Sequence, residues 1–127
     1  MDYNLQIGMT YTARKTVEHK DTAAAMGSGD VTVFATPAMI LLMEEAARLA
    51  VQSALPPGTT TVGTVVNVQH MAATPMGMKV QATAALTGIN GRRLTFEVEA
   101  RDENGVIGKG SHERAVIDVE RFMAKLR

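Results

Sequence analysis

Six consecutive residues, Ala38-Met39-Ile40-Leu41-Leu42-Met43, leave no polar face on the helix that contains them. The helix itself is well signposted, from Thr36 to Leu55. Thr36 suits the N-cap, Pro37 suits the first helical position, and Met, Leu, Glu, Ala and Arg are strong helix formers. Pro56-Pro57-Gly58 stops it, because neither proline continues the hydrogen-bond ladder. A helix whose first half is apolar all round must be wrapped by other structure. That requirement limits the folds open to the chain.

The rest of the sequence supplies strands to do the wrapping. Thr10 to Lys20 is a first candidate with imperfect alternation. Asp21 to Asp30 lacks large side chains and reads as a mobile loop or lid. Four strands follow the helix: Thr61 to His70, Met78 to Thr87, Arg93 to Arg101, and Val106 to about Asp118. The second and third are joined at Ile89-Asn90-Gly91-Arg92, where Asn-Gly signals a tight hairpin, and Asp102-Glu103-Asn104-Gly105 turns into the last. The expected architecture is α+β: one long central helix wrapped by a curved antiparallel five-stranded sheet, in a single domain over residues 1–127. One sheet does not easily surround such a helix, so a second copy of the chain is expected, as a homodimer or a tetramer.

Composition narrows the function. Thirteen basic residues balance thirteen acidic ones, which argues against nucleic acid as a partner. Cysteine is absent, which removes disulfides and thiol nucleophiles. The run from Val33 to Met43 is too short to span a bilayer, and Met1-Asp2-Tyr3-Asn4 has no leader character. A cytoplasmic protein without membrane attachment is expected. No histidines and carboxylates stand at metal-ligand spacing, and no G-x-S-x-G elbow occurs. The glycine-rich stretch from Gly105 to Gly110 has no helix after it and reads as a β-bulge rather than a phosphate loop.

Three polar residues sit where apolar ones would be cheaper. Glu44 follows the apolar run directly, and a buried carboxylate costs several kcal/mol, roughly, unless paired or protonated; a plain salt bridge to Arg48 one turn on explains it equally well. His70 ends a valine-rich strand in apolar surroundings and is the natural general acid or base, although a structural histidine there is also ordinary. Thr36 at the start of a buried helix is placed to help polarise a developing oxyanion, or simply caps the helix. His19 and His112, among charged neighbours, read as surface residues.

The segment Phe34-Ala35-Thr36-Pro37-Ala38-Met39-Ile40-Leu41-Leu42-Met43-Glu44, the strand end Val68-Gln69-His70, and Gly110-Ser111-His112-Glu113-Arg114-Ala115-Val116-Ile117 resemble the fluoroacetyl-CoA thioesterase-like family of hotdog-fold enzymes. The likeness runs from about Val33 to the C-terminus and takes in Ala72-Ala73-Thr74-Pro75 and Gly91-Arg92-Arg93-Leu94. The resemblance implies hydrolysis of an acyl-CoA thioester, with Thr36, Glu44 and His70 as catalytic residues. It further implies Gly63, Arg114 and Phe34 at the substrate, and no cofactor beyond the coenzyme A of the substrate itself. The family's lid carries phenylalanines that help select a fluorinated acyl group. Thr22 to Val33 contains no aromatic residue here, with Phe34 alone at its edge, so the expected substrate carries another short or medium acyl group. A hotdog hydratase or dehydratase, and a non-enzymatic acyl-CoA-binding module, are the alternatives.

Eight residues of straight helix separate Thr36 from Glu44 by about 12 Å, too far for contact within one chain. Either the chain bends before the helix proper, or the two groups meet across a dimer interface.

Overall fold

A computed structural model describes residues 3–127; Met1-Asp2, the start of the stretch expected to lack leader character, lies outside them. Strands β1 (Thr10–Thr16), β2 (Thr59–His70), β3 (Lys79–Asn90), β4 (Arg93–Asp102) and β5 (Gly105–Asp118) form one antiparallel sheet in the order β1-β3-β4-β5-β2. Between β1 and β2 run a 3-10 turn at His19–Asp21, a one-turn helix α1 (Ala23–Met26) and the long helix α2 (Thr36–Gln52). A short helix α3 (Val119–Ala124) follows β5.

Alternation sorts the strand side chains. Val80, Ala82, Ala84 and Leu86 of β3 and Leu94, Phe96, Val98 and Ala100 of β4 are buried, as period-two placement on one face requires. Against them α2 turns Ala38, Met39, Leu42, Met43, Ala46, Ala47, Ala50 and Val51, a stripe at three- and four-residue spacing. The small side chains on both surfaces let helix and sheet approach closely. The helix lies mainly over β3 and β1, so its other flank is free within the chain: Leu41 is 63% exposed.

The expected hairpin is present, with Asn90 paired to Arg93 across Gly91 and Arg92. In β5 the register slips where Gly108 faces Ala100 and Val106 faces Arg101, leaving Ile107 as the extra residue of a bulge within the glycine-rich stretch. The first strand is shorter than expected and ends at Thr16. The segment from Asp21, expected as a mobile loop, is anchored at its start. Asp21, Thr22 and Ala23 are buried, and the Asp21 carboxylate accepts from Lys15 Nζ at 2.8 Å and from the Glu18 backbone N–H at 2.9 Å. The alternation of large apolar residues carried no sign of this brace, because it is polar and local. Another correction concerns the start of α2. Ala35, not Thr36, is the N-cap, and Thr36 is already helical with Pro37 behind it. The threonine hydroxyl is therefore released from capping.

Candidate active site

Two polar groupings lie along α2. At its N-terminal end the Thr36 hydroxyl oxygen is 2.8 Å from His70 Nδ1. The helix start supplies the threonine and the far end of β2 supplies the histidine. Phe34 is buried and packs edge-on to the imidazole, with ring centroids 6.5 Å apart and planes at 80°. Phe34, Thr36 and His70 border a cavity of about 280 Å³, together with Ala23 and Ser28 of the lid segment and Met71 to Ala73 beyond β2. His70 Nε2 is buried and has no hydrogen-bond partner among the described residues. Desolvation pushes the His70 pKa below the ordinary 6.5, opposed in part by the backbone at Ala72, so the ring is neutral near pH 7 and able to take a proton.

Farther along α2, Glu44 meets β5 and β2. Its Oε2 lies 3.5 Å from Arg114 Nη1. The ion pair is therefore long-range, not the one-turn pair with Arg48 that the sequence also allowed. Arg114 is buried and its guanidinium is spent on nearby acceptors. Nε donates to Thr61 Oγ1 at 2.7 Å, Nη2 to the Thr61 carbonyl at 3.0 Å, and Nη1 to His112 Nε2 at 3.2 Å. Burial lowers its pKa from the ordinary arginine value while Glu44 resists the shift; a guanidinium remains charged regardless.

Gly63 explains how the carboxylate comes so close to β2. A Cβ at this position would stand 2.5 Å from Glu44 Oε2, well inside contact distance. Gly63 and His70 are seven residues apart, so in a regular strand they would face opposite sides. The register of β2 against β5 slips between Gly63 and Val65, and this one-residue bulge at Thr64 brings both onto the helix-facing side.

His112 is the largest departure from expectation. Read as a surface residue, it is 1% exposed and packs beside Phe96 with ring centroids 6.2 Å apart. Its charged neighbours in sequence, Glu113 and Lys109, are misleading because successive strand residues face opposite ways. Phase carried the signal: His112, Arg114 and Val116 share one side of β5, and all three are buried. Among the described residues no group of three or more metal-ligating side chains gathers, and no helix is long and apolar enough to cross a membrane.

Residues 17–120 match the family described as fluoroacetyl-CoA-specific thioesterase. The chain belongs to this family. It is 45% identical over 113 residues to the fluoroacetyl-CoA thioesterase of Streptantibioticus cattleyicolor, covering 89% of this chain and 81% of the relative. A solved fluoroacetyl-CoA thioesterase superposes with a TM-score of 0.90 at 40% identity, covering 97% of this chain and 96% of the other. Variants of that enzyme have been solved with fluoroacetate and CoA, and with acetyl-CoA. A Thermus thermophilus thioesterase superfamily member aligns with a TM-score of 0.88 at 29% identity, over 96% of this chain and 90% of its own. The family therefore fixes the fold as hotdog and the chemistry as acyl-CoA thioester hydrolysis.

Proposed function

We propose that the site hydrolyses a short acyl-CoA without strong preference for a fluorinated group. Thr36, His70 and Glu44 carry the reaction, and each site is completed across a homodimer. The carrying observation is the Thr36–His70 contact at the rim of the small cavity, with His70 neutral and its Nε2 unspent. In the water route, His70 or Glu44 takes a proton from water as its oxygen adds to the thioester carbonyl carbon. Thr36 polarises or orients, the C–S bond breaks, and the thiolate of coenzyme A leaves and collects the proton. In the covalent route, Glu44 attacks instead and water opens the resulting anhydride. Coenzyme A enters as part of the substrate, and no further cofactor is invoked. A cytoplasmic location accords with a chain free of cysteine.

What one chain lacks supports the dimer. Helix α2 is unbroken from Thr36 to Gln52, so a bend does not bring Thr36 to Glu44. Strand β2 is an edge strand whose residues 63 to 67 are all exposed, which invites pairing with another strand. Two copies paired antiparallel along β2 would set the His70 end of one strand beside the Thr61–Gly63 end of the other. Glu44 of the partner subunit would then approach His70. The small side chains at Ala23, Ser28 and Ala72, with no aromatic residue between Thr22 and Val33, favour size over fluorine as the basis of selection. Phe34 and Gly63 would border the acyl group, and Arg114 would act at the carboxylate side.

Thiol release from a panel of acyl-CoAs tests the substrate, with acetyl-CoA and propionyl-CoA expected to turn over at least as well as fluoroacetyl-CoA. Hydration of an enoyl-CoA without thiol release, or tight binding without turnover, would overturn the reading. Mixing inactive Thr36→Ala and Glu44→Ala chains tests the shared site. Random exchange of subunits should restore roughly a quarter of the wild-type rate, since half the dimers are mixed and each has one intact site. No recovery after verified exchange means that the site lies within one chain.

A further inference from the structure

The cluster around Arg114 contains a buried imidazole that no step above uses. Its geometry fixes its protonation. His112 Nδ1 lies 2.7 Å from the Val65 carbonyl, which can only accept, so Nδ1 carries the hydrogen. Nε2 faces Arg114 Nη1 at 3.2 Å, and a guanidinium can only donate, so Nε2 presents its lone pair. The tautomer is set from both sides.

We infer that His112 is a positioning residue for hydrolysis, whose neutral, Nδ1-protonated ring holds the Arg114 guanidinium against Glu44 and ties that pair to the bulge in β2. The Val65 carbonyl belongs to the bulged part of β2, where Gly63 makes room for the carboxylate. One ring thus braces the strand under Glu44 and directs the cation beside it. A proton on Nε2 would place a donor against a donor and a cation against a cation, expelling Arg114 from its place. The charged groups around the ring are Arg114 and Glu113 on β5 and Glu44 on α2, with Arg48 of α2 acting on Arg114. Strand β4 contributes Phe96 and β2 the Val65 carbonyl. Burial, first among the causes, lowers the His112 pKa from 6.5, in keeping with a ring kept neutral. The inference rests on Glu44 being part of the catalytic site.

The test combines spectroscopy with substitution. Nitrogen-15 NMR of the intact protein at about pH 7.5 should give His112 the pattern of a neutral ring protonated at Nδ1; an Nε2–H ring or an imidazolium would overturn the proposal whatever the variants do. His112→Asn keeps a donor near Val65 and removes the acceptor facing Arg114. It should lower kcat/KM by on the order of 100-fold, the scale of a misplaced reacting group. His112→Gln places an acceptor where Nε2 was and should recover most of that loss, and it should weaken the acid-side fall of activity. In a double-mutant cycle the His112→Asn and Arg114→Lys losses should be non-additive. Wild-type kcat/KM in a folded His112→Asn enzyme, or full additivity with Arg114→Lys, would defeat the inference. If Glu44→Gln itself retains full activity, the catalytic reading fails instead, so the two failures are distinguishable.

Discussion

The two polar stations along α2 are built on opposite plans. At Thr36–His70 the groups are few, the surroundings are apolar, and a buried ring nitrogen has no partner among the described residues. At Glu44 the carboxylate stands before an arginine whose donors go to Thr61, His112 and Glu44. The first station keeps hydrogen-bonding capacity in reserve, which chemistry on a substrate requires. The second uses its capacity internally, which is how a charge is kept in place beside a low-dielectric core. Of the two, the partly exposed Glu44 is the part of the satisfied cluster that remains free to act.

The largest losses are expected at the residues proposed to react. Thr36→Ala, His70→Ala and Glu44→Gln should each lower kcat by about 100- to 10,000-fold, measured as thiol release at saturating acyl-CoA; an unaffected rate for any one removes it from the site. Gly63→Ala comes next. The new methyl group displaces Glu44 Oε2 on an exposed edge, so activity should fall by on the order of 100-fold while the thermal midpoint barely moves. Arg114→Met should act on stability as well as rate. Thr61 and His112 lose a buried partner, costing about 1–3 kcal/mol in urea titration, with little more from the ion pair because Glu44 is 38% exposed.

Acid provides a milder probe of both stations together. Burial holds His70 and His112 below 6.5 in the folded chain, so the unfolded chain takes up protons first as pH falls. Stability is complete above that value and is lost as pH drops from it through the folded-state pKa values. The thermal midpoint should begin to decline as pH falls below about 6.5, with a shallower decline in His112→Gln. The smallest effect is expected at the lid brace. Asp21→Asn weakens the part-buried Lys15 contact, whose side chains are 27% and 11% exposed; the loss should be about 1 kcal/mol, read in the same urea titration.

The long helix, the succession of five strands along the chain and the Asn-Gly hairpin were legible because each depends on local signals. So were Thr36, Glu44 and His70 as polar exceptions in apolar stretches, and the 12 Å problem that helix geometry sets between the first two. The Glu44–Arg114 pair was not legible, for its members are 70 residues apart and Arg48 offered a nearer explanation. His112 was lost because its sequence neighbours are charged, although the every-second-residue phase of β5 pointed inward. The bulge at Thr64 was hidden entirely: a single inserted residue changes which side chains share a face without altering composition.

The open edge of β2 has a consequence for how the chain comes to exist at all. A newly made copy presents a valine-bearing edge strand, and Val65 and Val66 are each 43% exposed. Another extended chain can pair with such an edge. If the proposed dimer forms along β2, yield in the cell should be set by a race between self-recognition and mispairing. Dilute, slow expression would leave this strand uncovered longest, and a charged substitution at Val65 would suppress aggregation and assembly together.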